Sequence, residues 1–218
     1  MSKNRQPRPP SHYRREKSLQ RLTLKSLDGY LLHTPEYMYS EEVVEGLRRA
    51  KDAGLVKHFG VSIYEVADAL HALDIGMSYI QVPYNVLDQR LSTTDFFSRA
   101  KAQGATVFAR SPFLQGLLVM EPAHIPERLS HARPYVEQFQ AIASKAGLTP
   151  AAAALRFSLA RSKAERIVFG VETLAQLKEN VAAVIAAEDE SWMADIEHSF
   201  RAAEATIVNP SLWSKASI

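Results

Sequence analysis

The sequence predicts an α/β fold built on a parallel sheet. Five short runs, LDGYLL, LVKHFGV, YIQV, TVFA and RIVFG, are of strand length and recur along the 218 residues. The stretches between them have helical periodicity and carry helix start and stop residues. The runs are uniformly apolar, as strands buried on both faces should be. Together these features indicate repeated βαβ units. Two architectures remain open at this level, a doubly wound open sheet and part of a (β/α)₈ barrel. The absence of a G-x-G-x-x-G turn after any strand weakens the dinucleotide-binding version of the open sheet.

The elements follow in order. Tyr13–Leu22 reads as a helix with Leu19 and Leu22 on one face, and Leu27–Leu32 as the first strand. Ser40 is placed to cap a helix that Gly54 ends. Leu55–Val61 is the second strand, Tyr64–Leu73 a helix and Tyr79–Val82 the third strand. Thr94 or Asp95 opens a helix that stops before Gly104, and Thr106–Ala109 is the fourth strand. Residues 112–132, with Pro112, Pro122 and Pro126, read as an excursion. Helices follow near 133–146 and 150–161, the second opened by Thr149-Pro150. Arg166–Gly170 is the fifth strand, Thr173 caps a helix to about Val184, and a last helix covers Glu190–Glu204. The chain thus divides into a basic, Pro-rich, disordered arm (1–13), the α/β domain (14–205) and a loose tail (206–218).

Composition excludes several classes. With 46% hydrophobic and 23% charged residues the chain is an ordinary globular one. It has no cysteine, hence no disulfide, thiolate metal site or Cys nucleophile, which fits the cytoplasm. No apolar stretch reaches membrane-span length. The net charge of +2 gives no reason to expect nucleic acid. Residues 1–25 carry eight basic residues against Glu16 alone, a local +7 that leaves −5 for the remainder.

Functional residues of either architecture belong just beyond the C-terminal ends of strands. Those positions read His33-Thr34-Pro35, Ser62-Ile63-Tyr64, Pro83-Tyr84-Asn85, Arg110-Ser111-Pro112 and Val171-Glu172-Thr173, with Gln81 near the end of the third strand. His33 can polarise a carbonyl or serve as acid or base. No pair among the seven histidines has metal-ligand spacing, so no metal is expected. No G-x-S-x-G elbow supports Ser111 as a nucleophile.

Five blocks of this chain, in order, resemble the aldo-keto reductases. They are KSLQRLTLKSLDGYLLHTP (17–35), GLVKHFGVSIY (54–64), IQVPYNVLDQR (80–90), FARSPFLQGLL (108–118) and FGVETLAQLKEN (169–180). The resemblance implies a (β/α)₈ barrel that reduces aldehydes and ketones with a nicotinamide cofactor, usually NADPH. It makes His33 the histidine of the family's Asp-Tyr-Lys-His tetrad. Ser62 and Gln81 match residues that hold the nicotinamide carboxamide. Arg110 stands where many members place a tyrosine under the nicotinamide ring. Ser111, Phe113 and Gln115 match the loop over the pyrophosphate. Gly170, Gln176, Glu179 and Asn180 match the block that meets the adenosine end.

The departures from the family pattern shape the expectation. The first three βα units have no counterpart here, and with them go the tetrad Asp and Tyr. Lys3 lies 30 residues before His33, close to the family spacing of the tetrad lysine. The asparagine that usually follows the matched serine is Ile63, and the basic residues that usually meet the 2′-phosphate are replaced by Glu172 and Gln176. A carboxylate repels a phosphate but accepts from a hydroxyl, so NAD(H) enters beside NADP(H). A truncated barrel leaves an open face. Either the sheet closes differently, a second copy or a complementing chain covers it, or more chain exists. The expectation is a reductase relative that does not turn over a small carbonyl substrate alone, with a non-catalytic nucleotide-binding or structural subunit as the alternative.

Overall fold

The computed structural model describes residues 11–185, 190–201 and 203–213. The disorder expected of residues 1–10, Lys3 among them, and the loose end at 214–218 lie outside the described residues. Residues 11–13, expected in the arm, open the first helix instead.

The first half of the chain runs α1 (Ser11–Leu22), β1 (Leu27–Leu32), α2 (Glu41–Asp52), β2 (Val56–Ser62), α3 (Val66–Asp74), β3 (Tyr79–Pro83), α4 (Phe96–Ala102) and β4 (Thr106–Arg110). The excursion at 112–132 is a series of 3-10 turns. Then come α5 (Arg133–Lys145), α6 (Pro150–Arg161), β5 (Arg166–Val168), α7 (Leu174–Ile185), α8 (Trp192–Phe200) and α9 (Ala205–Val208). Thr149 caps α6 as expected, accepting from Ala152 N–H at 3.2 Å. Ser40 stands at the start of α2 without a side-chain cap bond, and Glu41 and Glu42 complement the helix dipole there.

All five strands are parallel and lie in the spatial order 1-2-3-4-5. This order decides between the two architectures. A doubly wound sheet reverses its strand order at a switch point. This sheet never reverses, so it is a barrel segment, left unclosed between β1 and β5.

The two faces of the sheet differ. Phe59, Val61, Ile80, Val82, Val107 and Ala109 are 0–5% exposed within the main core. On the alternate face Ser62, Tyr79, Gln81, Phe108 and Arg110 are only half-buried. Burial on both faces, expected from the uniform runs, therefore holds for one face. The other is a barrel interior that the described residues do not fill. Gly60 is required by the close approach of β3, since a Cβ there would overlap the Tyr79 carbonyl oxygen.

Two boundaries are corrected. β5 ends at Val168, because Phe169 and Gly170 leave the ladder to form a wall of a cleft. The last predicted helix is shorter, α8 covering only Trp192–Phe200, a separate α9 follows at Ala205–Val208, and residues 206–213 are anchored rather than loose. Ile207 and Val208 are buried, and Asn209 donates to Glu65 Oε1 at 3.0 Å. Trp213 Nε1 donates to the Thr206 carbonyl at 3.1 Å.

Candidate active-site cleft

The loop after β3 organises the C-terminal rim of the sheet. Asn85 is fully buried. Its Oδ1 accepts from the N–H groups of Leu87 and Asp88 at 3.0 Å each, and its Nδ2 donates to the Ser111 carbonyl at 3.2 Å. Arg90 binds Asp88 with two nitrogens, Nε at 2.8 Å and Nη2 at 3.0 Å. It also donates to Glu65 and to the Tyr64 carbonyl, each at 3.0 Å. Burial pushes the Asp88 carboxyl up from its ordinary value, against the pull of the Arg90 guanidinium. Arg90 is itself held more firmly protonated by Asp88. Asn85 occupies one of the strand-end positions singled out from the sequence, whereas Asp88 and Arg90 do not. The charged D-Q-R run directly after an apolar strand was the available signal.

This frame fixes Arg110. The guanidinium reaches past the end of β3 to the end of β2, where it donates to the Ile63 carbonyl at 3.0 Å. It lies 4.2 Å from the centroid of the Tyr64 ring, a cation–π contact, and donates to Ser111 Oγ at 3.2 Å. Arg90 holds the Tyr64 backbone from the other side, so the two arginines pin one segment between them.

Residues 111–116 continue from Arg110 in a strained turn. Ser111, Leu114 and Gln115 have φ of 62°, 46° and 56°, a region that non-glycine residues seldom occupy, and Gly116 follows at 86°. Buried Leu114, Leu117 and Leu118 hold this turn against its strain. Such strain concentrates at functional sites.

The turn forms one wall of a cleft of about 800 Å³. The opposite wall comes from the residues after β5 and from α7. Arg110, Ser111, Phe113, Gln115, Gly170, Gln176, Glu179 and Asn180 all line it, together with Glu172. Eight of the predicted binding residues are thus brought together from two stretches about 60 residues apart. Phe113 and Phe169 meet edge to face at 6.2 Å across the walls. Gln176 also serves α7 directly. Its Oε1 accepts from Glu172 and Thr173 N–H, and Gln176 N–H donates back to Thr173 Oγ1, a capping box.

Three predicted residues fall outside these walls. Ser62 donates to Gln81 Oε1 at 3.0 Å on the inner face of the sheet, where the two are register partners. His33 is exposed beyond the end of β1, at the far edge from β5. Among the described residues no group of three or more potential metal ligands gathers.

The cleft is polarised. Among its described lining residues Arg110 is the sole cation, and Glu172 and Glu179 are acidic. Asn180, 6% exposed as a residue, lines the cleft beside Gln176 and Glu179.

The aldo/keto reductase family pattern matches residues 12–199 of this chain. The chain belongs to that family. Two curated relatives agree. L-galactose dehydrogenase of Arabidopsis thaliana is 26% identical over 204 residues, covering 84% of this chain and 61% of the relative. The NADH-specific methylglyoxal reductase of Escherichia coli is 26% identical over 186 residues, 77% of this chain and 57% of the relative. This aldo-keto reductase thus spans about three-fifths of their length. Among solved structures, the apo form of the aldo-keto reductase AKR11C1 from Bacillus halodurans superposes with a TM-score of 0.73 at 22% identity. It covers 92% of this chain and 70% of that one. The holo form gives 0.67. The likeness is one of fold, and it agrees with the barrel-segment topology.

Proposed function

We propose that the cleft seats a nicotinamide dinucleotide, and that this aldo-keto reductase binds it without completing carbonyl reduction alone. The convergence of Gln176, Glu179 and Asn180 from α7 with the strained 111–116 turn on one cleft carries the reading. A cavity of about 800 Å³ suits a cofactor-sized ligand. When bound, the reduced cofactor supplies a hydride. Asn180, Gln176 and the 111–116 turn would hold it from the two walls. By the resemblance, Ser62 and Gln81 would meet the carboxamide from the inner face of the sheet.

The acidic wall favours NAD(H) over the family's more usual NADP(H). Glu172 and Glu179 oppose a 2′-phosphate, and no lining residue on the α7 side is basic. The relative described as NADH-specific supports this preference.

Inactivity alone rests on the proton donor. A general acid should titrate near working pH. Tyr84 donates to the Arg161 carbonyl, and burial pushes its hydroxyl up. Tyr79 donates to Asp28 at 2.8 Å, which also raises it, and this pair sits at the N-terminal end of the strands, away from the cleft. A partner chain or a small carbonyl substrate with its own acid would be needed for turnover. No described helix is long and apolar enough to cross a membrane. A cysteine-free composition fits a reducing compartment such as the cytoplasm.

Fluorescence titration with NADH and NADPH tests the reading. NADH should bind saturably and at least about tenfold more tightly than NADPH, and Glu172→Lys should narrow or reverse that ratio. Asn180→Ala should weaken both. No binding at millimolar cofactor overturns the cleft assignment, whereas steady reduction of 4-nitrobenzaldehyde at ordinary enzyme rates overturns only the claim of inactivity.

A further inference from the structure

α7 carries an apolar stripe that nothing among the described residues covers. Leu174, Leu177, Val181, Val184 and Ile185 recur at helical spacing and are 39–76% exposed. The helix packs against α6 on another side, where Arg156 Nε donates to the Ala183 carbonyl at 2.7 Å. Beside the stripe the outer edge of β5 pairs with no strand among the described residues, and Val168 is 42% exposed. At the other end of the sheet the outer edge of β1 is equally unpaired, flanked by Leu22 at 58% and Leu24 at 51%. Unpaired edges beside exposed apolar residues are association sites unless something covers them.

We propose that two copies of this chain pair through the open ends of their sheets, the β5 edge and α7 stripe of each meeting the β1 edge of the other. Whatever covers the β5 end must offer a free strand edge running in the same direction and an apolar flank. The β1 end of this same chain offers both. A two-fold axis parallel to the strands keeps all strands parallel and uses both ends of each copy. The assembly therefore closes as a pair and leaves no edge to grow from. The area is adequate. A stable pair buries roughly 800 Å² on each partner, and the large apolar side chains left open at the two ends supply surface of that order. A contact through the five-residue stripe alone would fall short of it.

Sedimentation velocity and light scattering on the full chain test this, with Leu177→Glu and Val181→Glu as variants. Both side chains already face solvent in a single chain, so far-UV circular dichroism should be unchanged. Leu212→Glu, at a residue 56% exposed outside these ends, is the control. The expected result is a dimer of twice 24.3 kDa for the parent and the control. Each stripe variant should weaken self-association at least about tenfold. A parent that stays monomeric at 100 µM or so overturns the proposal, and the open ends then belong to a different chain. A dimer indifferent to both stripe variants also overturns it, as does growth into open-ended polymers. Cofactor binding is a separate readout, so the failure of one reading leaves the other standing.

Discussion

The loop after β3 and the helix after β5 are opposites in how they meet their surroundings. In the loop Tyr84, Asn85, Asp88 and Gln89 are buried, and each is hydrogen-bonded. Polar groups there are satisfied within the chain. In α7 the apolar stripe faces outward, and Asn180 is the sole buried residue identified in the helix. The sheet centre is complete by itself, and its flank is built for something more. The proposed cofactor cleft sits at the junction, where the finished frame holds one wall and the unfinished helix forms the other.

The sharpest way to break the comparison is Asp88→Ala. It takes two bonds from Arg90 and loosens the anchor through which Arg90 holds Tyr64 and Glu65. Removing one partner of a buried pair is expected to cost about 3 kcal/mol, read as a lower urea midpoint. A loss below about 1 kcal/mol would show that the frame is not the stable half. Hydrogen exchange should give a smaller but local contrast. Amides of β2, β3 and β4 should exchange at least about tenfold more slowly than those of α7 in dilute protein. If copies pair as proposed, α7 and the edge strands β1 and β5 should slow as concentration rises, while β2, β3 and β4 should not.

The smallest effect concerns the Tyr39–Asp68 bond on the surface, 2.6 Å long. It pushes the Tyr39 hydroxyl up to about 12 from 10.0. The unfolded chain then loses this proton first, so stability falls as pH rises from 10 towards 12. Tyr39→Phe should flatten that alkaline decline in Tm slightly, since the residue is 57% exposed. An unchanged slope would remove the bond from the stability balance.

Much of this was legible in the sequence. β1 falls at Leu27–Leu32 as its apolar run predicts, and the Thr149-Pro150 helix start is capped as read. Gly170, Gln176, Glu179 and Asn180, singled out from their block, line one cleft with the 111–116 turn. What stayed hidden depends on faces and long-range partners. A run such as YIQV does not reveal that Tyr79 and Gln81 look into an unfilled interior. RIVFG looks uniform, yet its last two residues turn aside to build a wall. Asp88 and Arg90 are two residues apart, a spacing that suggests no pairing until the loop curls around Asn85. The tail from Asn209 lacks a strong pattern of its own, and its anchor is Glu65, 144 residues away.

α7 has two working sides, since one end lines the cleft through Gln176, Glu179 and Asn180 while its apolar stripe faces outward. A molecule in the cleft and a neighbour on the stripe would therefore grip one helix at once. If each steadies it, each lowers the ordering cost for the other, and thermodynamic reciprocity requires equal help in both directions. The helix would then act as a meter, with cofactor occupancy readable from how strongly the chain associates.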